Sequence, residues 1–244
     1  MLDKVFEKLG IYDILAVLLT GIIICSGTIL ISAYVDFFIL DFSLLNTNSV
    51  LLFLLISYFT GLLFQEIGSS IEKHFFYKNN RLLLEVVGLS NSTRLFRSRN
   101  SNSRLTQVEW NEIVTFVSQK LKFSKRKLSN EKIERIYNYC KYNVLTKKNR
   151  TGIDKDHSMS AMARSLTFYF FTCLIGLLFG YYTKFLVLHI ADIRYCYIML
   201  LCVSFVIIFY LRGIRFAKIR FIKILRLFYY QNVVDPPKTQ NNTP

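Results

Sequence analysis

The sequence is short of acid and of histidine. Its 244 residues carry 16 Asp and Glu against 31 Lys and Arg, a net charge of +15, and its three histidines, His74, His157 and His189, stand far apart. No cluster of His, Cys and carboxylate has metal-ligand spacing. There is no glycine-rich phosphate loop and no nucleophile elbow. The Arg-x-x-x-x-His pattern of small helical ribonuclease domains is missing too, because Arg150 and His157 are seven apart. Ile153–His157 is the one concentration of acid and His, and at a helix start such residues serve as caps. The five cysteines include no Cys-x-x-Cys and suggest no disulfide framework. These absences point away from an enzyme, a cofactor and a metal centre.

What the chain does have is apolar sequence in blocks. Hydrophobic residues make up 52%, Phe and Tyr together number 37, and mean hydropathy is +0.34 despite the charge. A soluble basic protein could not hide that much apolar surface in a core interrupted by charge; segregation into blocks resolves the conflict. Four stretches are long enough to cross a bilayer. Ile14–Val35 has 22 uncharged residues, about 33 Å as a helix against a hydrocarbon core of about 30 Å. Ser49–Phe64 lies within a charge-free run from Phe42 to Gln65. Ser165–Thr183 and Tyr195–Leu211 complete the set. Backbone groups cannot stay unpaired in lipid, so each stretch must be helical. The expected fold is all-α, a four-helix transmembrane bundle with a small basic helical cytoplasmic insert.

Basic residues fix the expected orientation. The segment before the first span holds Lys4 and Lys8, whereas 36–48 holds no Lys or Arg. The long link Ile67–Arg164 holds twenty bases, 184–194 holds two, and the chain from Arg212 onward holds seven. Bases near spans stay on the cytoplasmic side. Both termini and the long link are therefore expected inside, at a bacterial inner membrane. The first apolar block is too long for a signal peptide and no small-x-small site follows it, so it is expected to remain as a span. Cys140 then lies in the cytoplasmic link and should react with an impermeant maleimide only after lysis.

The expected division is 1–66 for two spans, 67–164 for the insert and span extensions, 165–231 for the last two spans with a basic extension, and 232–244 for a disordered tail. Within the insert, Thr106 and Glu109 fit a capping box. The helix that follows carries Trp110, Ile113, Val114 and Val117 on one face. Ser129 or Asn130 caps the next, to about Leu145, with Ile133, Ile136, Tyr137, Cys140 and Val144 at helical spacing. Lys147–Gly152 is expected to break it, and Asp156 or Ser158 to start a helix that feeds the third span. Neither insert helix can stand alone on one apolar stripe, so they must pack on each other, on the span extensions or on another subunit. The stretch Leu211–Tyr230 alternates bases with large apolar residues and continues the fourth span.

Three groups of residues invite a functional reading. Arg94, Arg97, Arg99 and Arg104, with Lys125, Arg126 and Lys127, lie where topology does not need them; they would carry an anionic partner, while the other bases bind anionic lipids. Nucleic acid is the less favoured ligand. Glu66, Arg164 and Arg212 stand at the inner ends of spans, either as solvated interface charges or as an ion pair facing the bundle interior. Gly176 and Gly180 form a G-x-x-x-G, and Ser57 with Gly61 a looser version, for packing within the chain or between copies of a homo-oligomer. No charge sits at mid-membrane, which argues against ion-coupled transport. A pore made by several subunits could be lined by Thr20, Ser26, Thr28, Ser32, Ser57, Thr60 and Thr172.

Leu9–Ala16, Gly61–Glu72, the stretch from Arg215 to Tyr230, and Arg164 entering the third span are similar to a loosely defined group of small bacterial four-span membrane proteins without an assigned activity. The likeness covers the spans and their inner ends. Such proteins often lie near phage-defence genes, so the resemblance implies a membrane effector or membrane anchor in such a system. It transfers no functional residues.

Overall fold

A computed structural model describes residues 11–35, 47–75, 81–87, 105–123, 128–145, 151–188 and 192–234. Apart from a few residues at helix ends these are all helical, with no strand among them. The helices are α1 (Ile11–Tyr34), α2 (Thr47–Phe75), α3 (Arg81–Val87), α4 (Gln107–Leu121), α5 (Asn130–Leu145), α6 (Thr151–Leu188) and α7 (Ile193–Tyr229), and α7 ends in a π-helical turn, Tyr230–Val234. Of these, α1, α2, α6 and α7 are long and apolar enough to cross a membrane.

The chain divides into two compact units. One is Met1–Lys73 with His157–Arg215; the other is His74–Asp156 with Phe216–Pro244. The break points differ from those expected at 66/67 and 164/165, and the end of α7 belongs with the insert.

In the first unit the helices touch through small residues and rings. A Cβ on Gly21 would strike the carbonyl of Ser57, and one on Gly61 would strike the carbonyl of Val17, so α1 and α2 meet backbone to backbone. Tyr169 on α6 is the hub of the rest. Its hydroxyl is 3.1 Å from the Thr28 hydroxyl on α1. The missing side chain of Gly27 leaves room for it, and its ring meets Phe64 of α2 edge-on at 5.9 Å. Next to it, Phe170 meets Phe205 at 4.7 Å and stacks on Phe209, both on α7. Around this contact set the outer surface is apolar, with Leu51, Leu63, Phe179 and Leu200 all exposed. Inside are hydroxyls: Thr20, Ser57, Ser160 and Ser165 are buried.

The second unit has the opposite character. α4 starts with the expected capping box: the Thr106 N–H donates to Glu109 at 2.8 Å and the Glu109 N–H donates to the Thr106 hydroxyl at 3.2 Å. It ends at Lys122, whose φ of 52° is left-handed and whose N–H donates to the Ser118 carbonyl. Ser129 caps α5, its hydroxyl accepting from the Lys132 N–H. Every residue expected on the two inner faces is buried: Trp110, Ile113, Val114 and Val117 on α4, and Ile133, Ile136, Tyr137, Cys140 and Val144 on α5. The third wall is the end of α7, with Phe221, Ile222, Leu225 and Phe228, and α3 adds Leu83, Val86 and Val87. Ring contacts join them, Tyr137 to Phe221 at 4.9 Å and Phe116 to Phe228 at 5.8 Å.

One boundary differs from expectation. α6 begins at Thr151 and runs straight through Gly152, so Asp156 and Ser158 are interior residues and not caps. The reason is a partner: the Asp156 carboxylate lies 2.5 Å from Lys223 Nζ on α7, which rewards a helix already formed there.

Candidate functional site

Among the described residues of the second unit, the bases at the end of α7 form a stripe of ion pairs. Spacing of three to five residues places Lys218, Lys223 and Arg226 around a helix whose other side is core. Each meets a carboxylate from a different helix. Lys218 Nζ lies 2.7 Å from Glu85 on α3, Lys223 pairs with Asp156 on α6, and Arg226 Nε lies 3.7 Å from Glu109 on α4. Tyr229 adds a fourth tie, its hydroxyl donating to Glu112 at 2.9 Å. Glu109 thus both caps α4 and faces Arg226, so one carboxylate links helix initiation to docking. Side chains here are partly shielded, with 10% exposure at Asp156 and 18% at both Lys218 and Glu85, which makes the pairs stronger than open surface pairs.

Arg220 is the fourth base of this stretch. Its guanidinium sits over the Phe221 ring, 5.6 Å from the centroid, and its charge acts on Lys141 of α5. The Lys141 ammonium is held below the usual lysine range, first by partial desolvation and then by Arg220. The neighbouring Cys140 is fully buried, and burial pushes its thiol far up. It is therefore a core residue, and burial disfavours the thiolate and shields it, so the labelling expected after lysis needs the insert to open.

The chain matches no known family, no characterised protein and no solved structure.

The residues singled out from sequence fall into three sets. Arg94, Arg97, Arg99, Arg104, Lys125, Arg126 and Lys127 lie outside the described residues. Glu66 is exposed on α2, Arg212 is exposed on α7 and Arg164 is half-buried on α6; Glu66 is in none of the ion pairs above. Of the small residues, Ser57 and Gly61 are buried against α1, whereas Gly176 is exposed with nothing near the place of a Cβ and Gly180 faces the Tyr195 ring. Of the seven hydroxyls suggested for a pore, four are satisfied by their own helices: Thr20, Thr28, Ser32 and Thr172 donate to the carbonyls of Ala16, Ile24, Thr28 and Tyr169, whereas the buried Ser57 hydroxyl has no hydrogen-bond partner. The four bonded hydroxyls need no water to satisfy them. Among the described residues no group of His, Cys, Asp and Glu could hold a metal ion.

Sequence reading did not single out Asp192. Just before α7, its carboxylate accepts from the Arg194 N–H and guanidinium and lies 3.4 Å from Lys184 Nζ. Arg194 also donates to the Tyr34 carbonyl at the end of α1. These hydrogen bonds, led by those from Arg194, hold the Asp192 carboxyl down at about 2. The signal was there in the sequence, an acid two residues before an arginine in a short connection, but nothing in that spacing said that a lysine eight residues earlier would join.

Proposed function

We propose that this chain is a non-enzymatic component of a bacterial inner membrane, an effector or sensor with both termini cytoplasmic, that receives a signal through its basic insert. The four apolar helices form a transmembrane bundle in this reading, and the chain acts as a homo-oligomer that also contacts anionic lipids. The observation that carries the proposal is the sharing of α7: residues up to Arg215 belong to the unit with apolar exterior, and residues from Phe216 form a wall of the insert's core. A ligand or cytoplasmic protein that changes the insert's grip on the end of α7 acts on a helix whose first part belongs to the apolar unit. The distribution of bases along the chain supports the orientation, and the likeness to four-span proteins near phage-defence genes supports a role in antiviral defence.

Two other outputs compete, a pore and a passive anchor for a soluble enzyme. Expressing the protein alone while recording membrane potential separates them. Depolarisation without a trigger favours the pore, depolarisation only on infection favours the triggered effector, and silence under both conditions favours the anchor. Orientation is tested in a Cys-free variant with a single Cys at exposed Gln119. Labelling by impermeant maleimide in intact spheroplasts would overturn the cytoplasmic placement.

A further inference from the structure

One face of α7 stays open along its apolar part. Leu200, Leu201, Ile207, Ile208 and Leu211 are all exposed, and at 100° per residue they fall on one side of the helix. Cys202 and Gly213, on the other side, are buried. The open face ends in two bases, Arg212 and Arg215, both exposed. Each stands one turn beyond an exposed apolar side chain, Arg212 after Ile208 and Arg215 after Leu211. Three residues apart on one helix, their Cβ atoms lie about 5–6 Å from each other. Among the described residues neither arginine side chain has an ion-pair or hydrogen-bond partner, and Glu66 does not pair with Arg212. Further along the same face the next base, Lys218, is taken up by Glu85, and Ile222 is buried.

We propose that this face binds an anionic phospholipid, with the phosphate on Arg212 and Arg215 and an acyl chain along Ile208, Leu211 and the apolar residues before them. A guanidinium fork matches two phosphate oxygens. Two forks one turn apart suit a headgroup that brings no cation of its own, whereas a zwitterionic headgroup carries an ammonium and gains less from them. Charge argues against a second copy here, because a two-fold contact between parallel copies through this face sets four arginines together. A soluble phosphate would leave the apolar row unused. The site rests on the reading of the four apolar helices as a transmembrane bundle and names the residues that make its lipid contact.

The test uses the full chain in neutral detergent with equal amounts of phosphatidylglycerol and phosphatidylcholine of the same acyl chains. Native mass spectrometry counts the lipids that each chain retains, and wild type should prefer phosphatidylglycerol. Each base near an anionic headgroup contributes about fivefold. Arg212→Gln should therefore lower the preference about fivefold, and Arg212→Gln with Arg215→Gln about 25-fold. Both side chains are exposed, so the variants should melt as wild type does by far-UV dichroism. The fluorescence of Trp110, the single tryptophan of the chain and buried in the insert's core, reports the melting of that unit. Lys120→Gln with Lys155→Gln removes the same charge at exposed positions elsewhere and should leave the preference intact. An equal loss in that control, or no preference in wild type, would overturn the site. So would two results on wild type alone: displacement of the lipid by glycerol phosphate, which assigns the arginines to a soluble anion, or a dimer that phosphatidylglycerol dissociates, which gives the face to a second copy. Carbonate-resistant insertion into pure phosphatidylcholine vesicles judges the bundle reading separately. A chain that inserts there but shows no preference loses only the lipid site.

Discussion

The two units differ in what they leave outside. In the first, a core of Leu166, Tyr169 and Phe170 and the buried hydroxyls of Ser57 and Thr20 are surrounded by exposed apolar side chains such as Leu51, 68% exposed. In the second, Trp110, Ile136 and Phe228 are fully buried and the bases lie at the rim. One chain therefore obeys two solvents. Against lipid, apolar surface gains nothing from burial, and helices associate through close backbone approach and hydroxyl bonds. Against water, burial of apolar side chains dominates and charges pair at its edge. The helices α6 and α7 belong in part to each unit, so each changes its rule of packing along its length.

From this contrast, the same chemical change should have unequal effects in the two places. The largest difference is expected for aromatic truncation. Phe228→Ala empties a site ringed by Phe116 and Tyr139 and should cost about 3–5 kcal/mol, read from the Trp110 melt. Phe179→Ala, at a position 70% exposed, should leave the stability in detergent unchanged. Equal losses would mean that Phe179 is covered.

Adding a methyl group should reverse the ranking. Gly21→Ala drives a Cβ into the Ser57 carbonyl and should destabilise the first unit by about 1–3 kcal/mol, as overpacking does. Gly176→Ala meets open space and should be neutral or stabilising by up to about 1 kcal/mol, from helix propensity. Thermal far-UV dichroism of the two variants decides, and a harmful Gly176→Ala would restore the packing role expected from its G-x-x-x-G.

Smaller effects belong to the charges. Asp156→Asn removes the partner of Lys223, whose side chain is 46% exposed, so the loss should be about 1 kcal/mol and should shrink in high salt. Smallest of all is the pH response of Asp192. Its carboxyl is depressed to about 2, so its contribution is present above the ordinary Asp range and fades only as pH falls toward that value. Between pH 5 and 8 the wild type and Asp192→Asn should therefore show melting curves with the same pH dependence. A divergence in that window would mean that Arg194 does not hold the carboxylate.

Much of this architecture was legible because periodicity and charge-free length act locally. The four apolar runs, the Thr106–Glu109 cap and the buried faces of α4 and α5 each depend on residues a few positions apart. What periodicity cannot supply is the partner. The stripe of Lys218, Lys223 and Arg226 was visible, but Glu85, Asp156 and Glu109 lie 67 to 133 residues away along the chain. Gly21 was likewise hidden, since one glycine in an apolar run has no pattern until Ser57 and Gly61 are set against it. The same limit explains α6: Gly152 reads locally as a break, and only Lys223, far downstream, makes the helix worthwhile through Asp156.

The insert's core is split in time as well as in sequence. Its α4 and α5 walls leave the ribosome early, but the Phe221–Phe228 wall follows more than 75 residues after Val144. At about 5–20 residues per second, the half-core waits several seconds with Trp110 and Ile136 uncovered. During that interval α6 and the first part of α7 are made. A chain that stops before Phe216 has all four apolar stretches but an open insert, marked for proteolysis by its exposed core. Closure of the insert thus waits for the Phe221–Phe228 wall, and a copy that stops short of it carries no closed insert.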